Sequence, residues 1–275
     1  MYALLMLLAI LPGLLLCYLI YRLDKYEKEP VLVLGICFVL GMVITFPALQ
    51  LETMAANYGI DETKNIGLLL VSSFLVVAFS EELVKFAVLM LYPYQQKVFN
   101  EPLDGIVYSV VIAMGFATVE NVIYANLFGL PTTFLRSFTA VPAHAVFAVI
   151  MGYYVGLAKF DKNRQYQLIA TGFGGAVIIH GIYDFFILQE YYEWLMLFAT
   201  LTLVISGYFA FKLIKLHRSN SPFKNSLPAS TENPVESIVE NITPVDKVET
   251  TQTTEELIEL MKKSRIEKNP PAPKE

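Results

Sequence analysis

The sequence predicts an all-α polytopic membrane protein with about seven transmembrane helices, on three observations. Of its 275 residues, 55% are hydrophobic and only 16% are charged, with a mean hydropathy of +0.53. Soluble domains rarely carry so few charges for so much apolar surface. The charge is also uneven: the first 216 residues hold only 27 of the 45 charged side chains. Finally, seven stretches match the roughly 20 apolar residues that a crossing requires: about 2–20, 31–51, 66–92, 103–128, 137–158, 168–189 and 194–214.

The first stretch resembles a signal peptide only in length. It lacks a basic start and a small-residue cleavage site, so it is expected to be a retained helix. Cys17 and Cys37 lie inside apolar stretches and read as small packing residues, not as a disulfide or zinc framework. The links are short and polar, such as Tyr21–Pro30 and Lys159–Gln167. Ten basic residues fall on one side (Arg22, Lys25, Lys28, Lys97, Lys159, Lys162, Arg164, Lys212, Lys215, Arg218) and two, Lys64 and Arg136, on the other. The positive-inside bias then places the N-terminus out and the C-terminus in the cytoplasm.

Residues 1–216 are thus expected to form the membrane domain. Residues 217–275 hold seven of the fourteen prolines and one aromatic, Phe223, a composition that suits a disordered cytoplasmic tail. A capping-box pattern, Thr253-x-x-Glu256 ahead of Leu257, Leu260 and Met261, marks one short helix near 254–266. The net charge of −5, without a basic block, excludes nucleic acid as an expected partner; the lipid bilayer is the partner that the composition implies.

Ionisable residues inside the spans are confined to the third to sixth stretches: Glu81, Glu82 and Lys85; Asp104 and Glu120; His144; His180 and Asp184. Each charge at mid-bilayer costs about 2.5–3.5 kcal/mol on insertion scales, so such groups must face one another or a wet cavity. Glu81 and Lys85, and His180 and Asp184, are four residues apart and share a helix face. At ~1.5 Å per residue, Glu120, His144 and His180 fall roughly 12–14 Å from the outer ends of their helices, and Glu81 about 16–22 Å. Asp104 falls at the cytoplasmic end and outside the group. Glu81–Lys85 also suits a purely structural ion pair, and a lone membrane histidine is often satisfied by a carbonyl. Two histidines at matching depth beside carboxylates favour a functional site.

Two glutamates and two histidines supply the parts for hydrolysis: a carboxylate base to activate water, and imidazoles to bind a metal or steady an oxyanion. There is no HExxH motif, no serine or cysteine at motif-like spacing from a membrane histidine, and no paired membrane aspartates. A proton-coupled transporter or channel using the same residues is the alternative, although no inverted repeat supports it. A non-catalytic scaffold acting through its tail is a third reading.

The segment Ser80-Glu81-Glu82-Leu83-Val84-Lys85 resembles the EExxK box of the PrsW family. That family comprises bacterial intramembrane proteases related to the CAAX-prenyl endopeptidase and bacteriocin-processing group. Phe116 through Glu120-Asn121 resembles its FxxxEN box, Arg136 through Pro142-Ala143-His144 its third box, and His180 through Asp184 its HxxxD box. Asp24 through Pro30 resembles its first cytoplasmic loop. The boxes stand in family order over residues 20–190. The resemblance implies an endopeptidase in the bacterial plasma (inner) membrane that makes the site-1 cut in a single-span substrate such as an anti-sigma factor. It implies Glu81 as general base supported by Glu82, with Glu120, His144 and His180 positioning water or a metal and Asp184 orienting His180. The related CAAX proteases carry histidine where this chain has Glu120. Glu120, His144 and His180 form a candidate set for a divalent metal such as zinc, and a metal-free glutamate mechanism fits equally.

Overall fold

The computed structural model describes residues 2–60 and 65–225. The proposed tail helix near 254–266, and Lys64, lie outside them. The described residues are mostly helical, with no strand among them. Helix α1 spans Tyr2–Leu23 and α2 spans Val31–Asn57. A continuous helical run follows: α3 (Ile66–Val71), a π-helical segment (Ser72–Ala78) and α4 (Phe79–Leu91). Then come α5 (Pro102–Phe138), α6 (Ala140–Phe160), α7 (Gln165–Leu188) and α8 (Met196–Ser219). Among the described residues, five helical segments are long and apolar enough to cross a membrane: Tyr2–Leu23, Val31–Asn57, Pro102–Phe160, Gln165–Leu188 and Glu193–Ser219.

Helix α5 is the hub. Leu103 through Thr118 are all buried, and α5 packs against α1, α2 and α6. A helix apolar on every side must be surrounded, and glycine permits the approach. A Cβ on Gly41 would strike the Ile112 carbonyl, and one on Gly115 the Phe38 carbonyl, so α2 and α5 touch backbone to backbone. The Gly152/Gly156 step of α6 meets Gly105 and Pro102 of α5 in the same way, the small-residue packing expected of membrane helices. The peripheral helices turn apolar side chains outward: Leu7 and Leu11 on α1, Val43 and Phe46 on α2, Val204 and Phe211 on α8. Such a surface suits lipid.

Two irregularities shape the interior, and neither is at Pro142. Pro142 lies in the first turn of α6, where no intrahelical donor is lost. The observed break is at Gly129, where φ is 75° and ψ −161° inside α5. Glycine enters this region without the steric penalty of a Cβ. The second irregularity is the π-helical segment directly before Glu81. Wider turns of this kind commonly sit at functional sites. Phe74 of this segment packs where a Cβ on Gly181 of α7 would stand, which holds α7 against the segment.

Candidate active site

Four elements bring the interior polar residues together. Glu81, Glu82 and Lys85 come from α4, Glu120 from α5, His144 from α6, and His180 and Asp184 from α7. Lys85 is the centre. Its ammonium donates to Glu81 Oε2 at 3.0 Å and Glu82 Oε1 at 2.9 Å, and lies 3.1 Å from His144 Nδ1. It also stands 4.1 Å from the centroid of the Phe116 ring, a cation–π contact.

An ammonium has no acceptor capacity, so His144 Nδ1 must be the acceptor and the imidazole proton sits on Nε2. Nε2 then donates to Glu120 Oε2 at 2.9 Å. The other Glu120 oxygen, Oε1, takes the Arg136 guanidinium at 2.9 Å. His180 stands between two carboxylates: Nδ1 is 2.9 Å from Glu82 Oε1, and Nε2 is 3.1 Å from Asp184 Oδ2, in contact but out of hydrogen-bond alignment. Phe147 stacks on His180 at 4.6 Å and fixes the ring plane.

Glu81, Glu82, His144 and His180 each offer a ligating atom, all within 4.8 Å of one another, and all four are buried. Two imidazoles and two carboxylates suit a tetrahedral metal such as zinc. Glu82 Oε2 is buried without a partner, which leaves capacity for one. The residues therefore fit a metal in type and spacing. Lys85, however, already bonds three of the four, so a metal ion at their centre must displace its ammonium. Lys85→Met is expected to cost about 3–5 kcal/mol in metal-free protein, because two buried carboxylates lose their counter-charge. Zinc should then restore thermal stability in the variant far more than in the wild type. Equal zinc shifts in both would mean that lysine and metal do not compete.

Glu120 is not part of this convergent quartet; both of its oxygens are committed to Arg136 and His144. Asp104 stands apart as expected, in the first turn of α5. Arg136, read in the sequence only as a loop charge and part of a box, turns out to be an interior residue. Sixteen positions along an unbroken helix would place it about 24 Å from Glu120. The break at Gly129 folds the chain back, so that Arg136 bonds Glu120, donates to Asn121 Oδ1 at 3.2 Å and covers the Tyr124 ring at 3.8 Å. Gly129→Val is accordingly expected to cost over about 1 kcal/mol, since its φ is unfavourable for a β-branched residue. Thermal unfolding checks this, and an unchanged midpoint would show that the turn tolerates a side chain.

Glu52 was also missed. Helix α2 continues past the expected end at residue 51 to Asn57. It carries Glu52 within electrostatic reach of Glu81, Glu120 and Asp184, with Oε1 buried and unpartnered. A cleft of about 300 Å³, lined by Glu52, Ser72, Val76 and Leu188 among others, opens beside it. Outside the helices, burial dominates the acids of the α1–α2 loop: it pushes the Asp24 and Glu29 carboxyls up to about 7.

Residues 29–211 match the family model described as PrsW family intramembrane metalloprotease. The chain belongs to the PrsW family. It is similar to the protein named protease PrsW in Geobacillus kaustophilus, 38% identical over 180 residues, which cover 65% of this chain and 77% of the relative. The protease PrsW of Clostridioides difficile is 34% identical over 209 residues, covering 73% and 86%. That of Bacillus subtilis is 34% identical over 187 residues, covering 68% and 83%. No solved structure gives a significant match. The chain is an intramembrane protease and a multi-pass membrane protein, and the buried Glu/His cluster is its candidate metal-binding group.

Proposed function

We propose that this PrsW protein cuts a peptide bond within a single-span membrane protein, with Glu81 as the base that activates water. The observation that carries this reading is the meeting of Glu81, Glu82, His144 and His180 in one buried cluster. Glu81 is favoured over Glu82 because its bond to Lys85 uses Oε2, whereas Glu82 Oε1 is shared by Lys85 and His180. Glu81 also keeps slightly more exposure, 4% against 1%. Its carboxylate takes a proton from water as the oxygen attacks the scissile carbonyl, then returns that proton to the departing amine. Lys85 and the imidazoles lie close enough to stabilise the oxyanion. Asp184 and Glu82 orient His180, and Glu120 with Arg136 orients His144. When bound, a metal such as zinc would be held by Glu82, His144 and His180, which leaves Glu81 free as the base, and would supply Lewis acidity and a more acidic water.

The chain makes seven crossings in this reading, with α3, the π-helical segment and α4 together forming one. The N-terminus faces out, and residues beyond α8 lie in the cytoplasm as a tail. The basic residues of the connecting segments support this orientation. The membrane is the bacterial plasma membrane. The substrate is a single-span protein such as an anti-sigma factor. Its chain reaches the cluster by the cleft that Glu52 lines, where the carboxyl offers an acceptor for a substrate backbone N–H.

Purified protein in proteoliposomes separates this from the proton-transport reading. Glu120→Ala and His180→Ala should abolish cleavage of a co-reconstituted substrate without altering proton flux. Proton flux that depends on Glu120, with cleavage unchanged, would replace protease with transporter for this cluster.

A further inference from the structure

We propose that the α1–α2 loop and the N-terminal end of α5 form a second cation site, which takes a hydrated divalent ion of the Mg²⁺ type. Asp24, Glu29, Glu101 and Asp104 are each at most 3% exposed, and Glu27 borders them. Part of this charge is satisfied. Asp104 Oδ2 accepts from the backbone N–H of Asn100 at 2.7 Å and of Glu101 at 2.9 Å. The Tyr108 hydroxyl donates to Glu29, and Asn100 Nδ2 donates to Glu27 Oε1 at 2.9 Å.

The remainder is orphaned. Asp24 is fully buried, and neither of its carboxylate oxygens has a partner among the described residues; Asp104 Oδ1 and Glu27 Oε2 are buried and unpaired as well. Asp24 faces the group, close enough to Glu27, Glu101 and Asp104 to feel their charges. Lys28 is the cation whose charge Asp24 feels most, but its ammonium donates to the backbone carbonyls of Tyr21 and Asp24 and not to a carboxylate, and Lys159 donates to the carbonyl of Tyr94. Buried carboxylates without partners are costly, and are ordinarily paired or bound to metal.

The donors are all oxygens, which selects a hard cation. Among the described residues only the catalytic quartet brings three or more ligating groups within 4.8 Å of one another. The wider spacing here suits Mg²⁺, which binds one or two carboxylates directly and keeps several waters. The site is remote from catalysis: Asp104 and Glu120 are separated by about 24 Å along α5. An ion here would tie the α1–α2 loop to the start of the central helix.

Mn²⁺, whose unpaired electrons report binding by electron paramagnetic resonance, is the probe. The full-length chain carrying His144→Ala and His180→Ala, which strip the imidazoles from the catalytic cluster, is expected to retain a Mn²⁺ that Mg²⁺ displaces. Adding Asp24→Asn and Asp104→Asn should weaken Mn²⁺ at least about tenfold, a change of about 1.4 kcal/mol. Mg²⁺ should raise the unfolding temperature of the wild type but not of Asp24→Asn. Absence of Mn²⁺ from the histidine variant, if that chain still folds, would overturn the proposal whether or not the asparagine variants fold. Mn²⁺ affinity indifferent to Asp24 would do the same, as would a wild-type chain that acid stabilises and Mg²⁺ does not, since protons would then satisfy the carboxyls.

Discussion

Glu81→Gln should slow peptide-bond cleavage by about 10²–10⁴-fold, the usual contribution of a general base, while the protein folds and inserts normally. The two side chains have nearly the same shape, so the local packing is kept. Glutamine can still accept a hydrogen bond from Lys85. The ammonium also keeps its bond to Glu82 at 2.9 Å and its contact with His144 at 3.1 Å, so no buried cation is left alone. Only the ability to take a proton from water is lost. Single-turnover cleavage of a reconstituted substrate measures the effect, with circular dichroism and gel filtration as controls on folding. Wild-type cleavage by this variant would remove Glu81 from the chemistry and leave Glu82 as the remaining α4 carboxylate.

Arg136→Met should destabilise the protein by about 3 kcal/mol. That is the lower end of the cost of breaking a buried ion pair, because the Arg136 and Glu120 side chains retain 15% and 12% exposure. The loss has three parts. Glu120 is left without its cation, Asn121 Oδ1 loses its donor, and the Tyr124 ring loses its covering guanidinium. Arg136→Lys should recover only part of it, since an ammonium cannot reproduce the planar fork. Adding Glu120→Gln to Arg136→Met should recover more, because the stranded charge is then gone. Thermal unfolding of the wild type, these three variants and Glu120→Gln alone checks both statements. An additive double variant would show that the two residues do not act as a pair.

Much of the site was legible because a membrane makes interior charge conspicuous. Glu81, Glu82, His144 and His180 stand in largely apolar stretches, and they meet in one buried cluster. The i,i+4 spacing of His180 and Asp184 foretold their contact. Three features were hidden for physical reasons. Arg136 looks like a loop charge until Gly129 turns the chain back, and a single glycine in an apolar run gives little notice of a positive φ. Glu52 sits just beyond the apolar stretch, and hydropathy cannot show that α2 continues by another turn and a half. The central place of Lys85 depends on three helices converging, whereas spacing reveals only its partners on α4. Glu120 was expected beside the histidines as a candidate metal ligand; it does meet His144, but on the Nε2 side facing away from Lys85.

The masses of the cleavage products are the most direct test of the Glu81-centred proteolytic site. Purified protein and a single-span substrate, joined in one liposome preparation, should yield fragments that place the cut inside the substrate's transmembrane segment. The same fragments should fall to background with Glu81→Gln. A cut outside the membrane segment, or undiminished fragments from Glu81→Gln, would contradict a proteolytic centre built on this buried cluster.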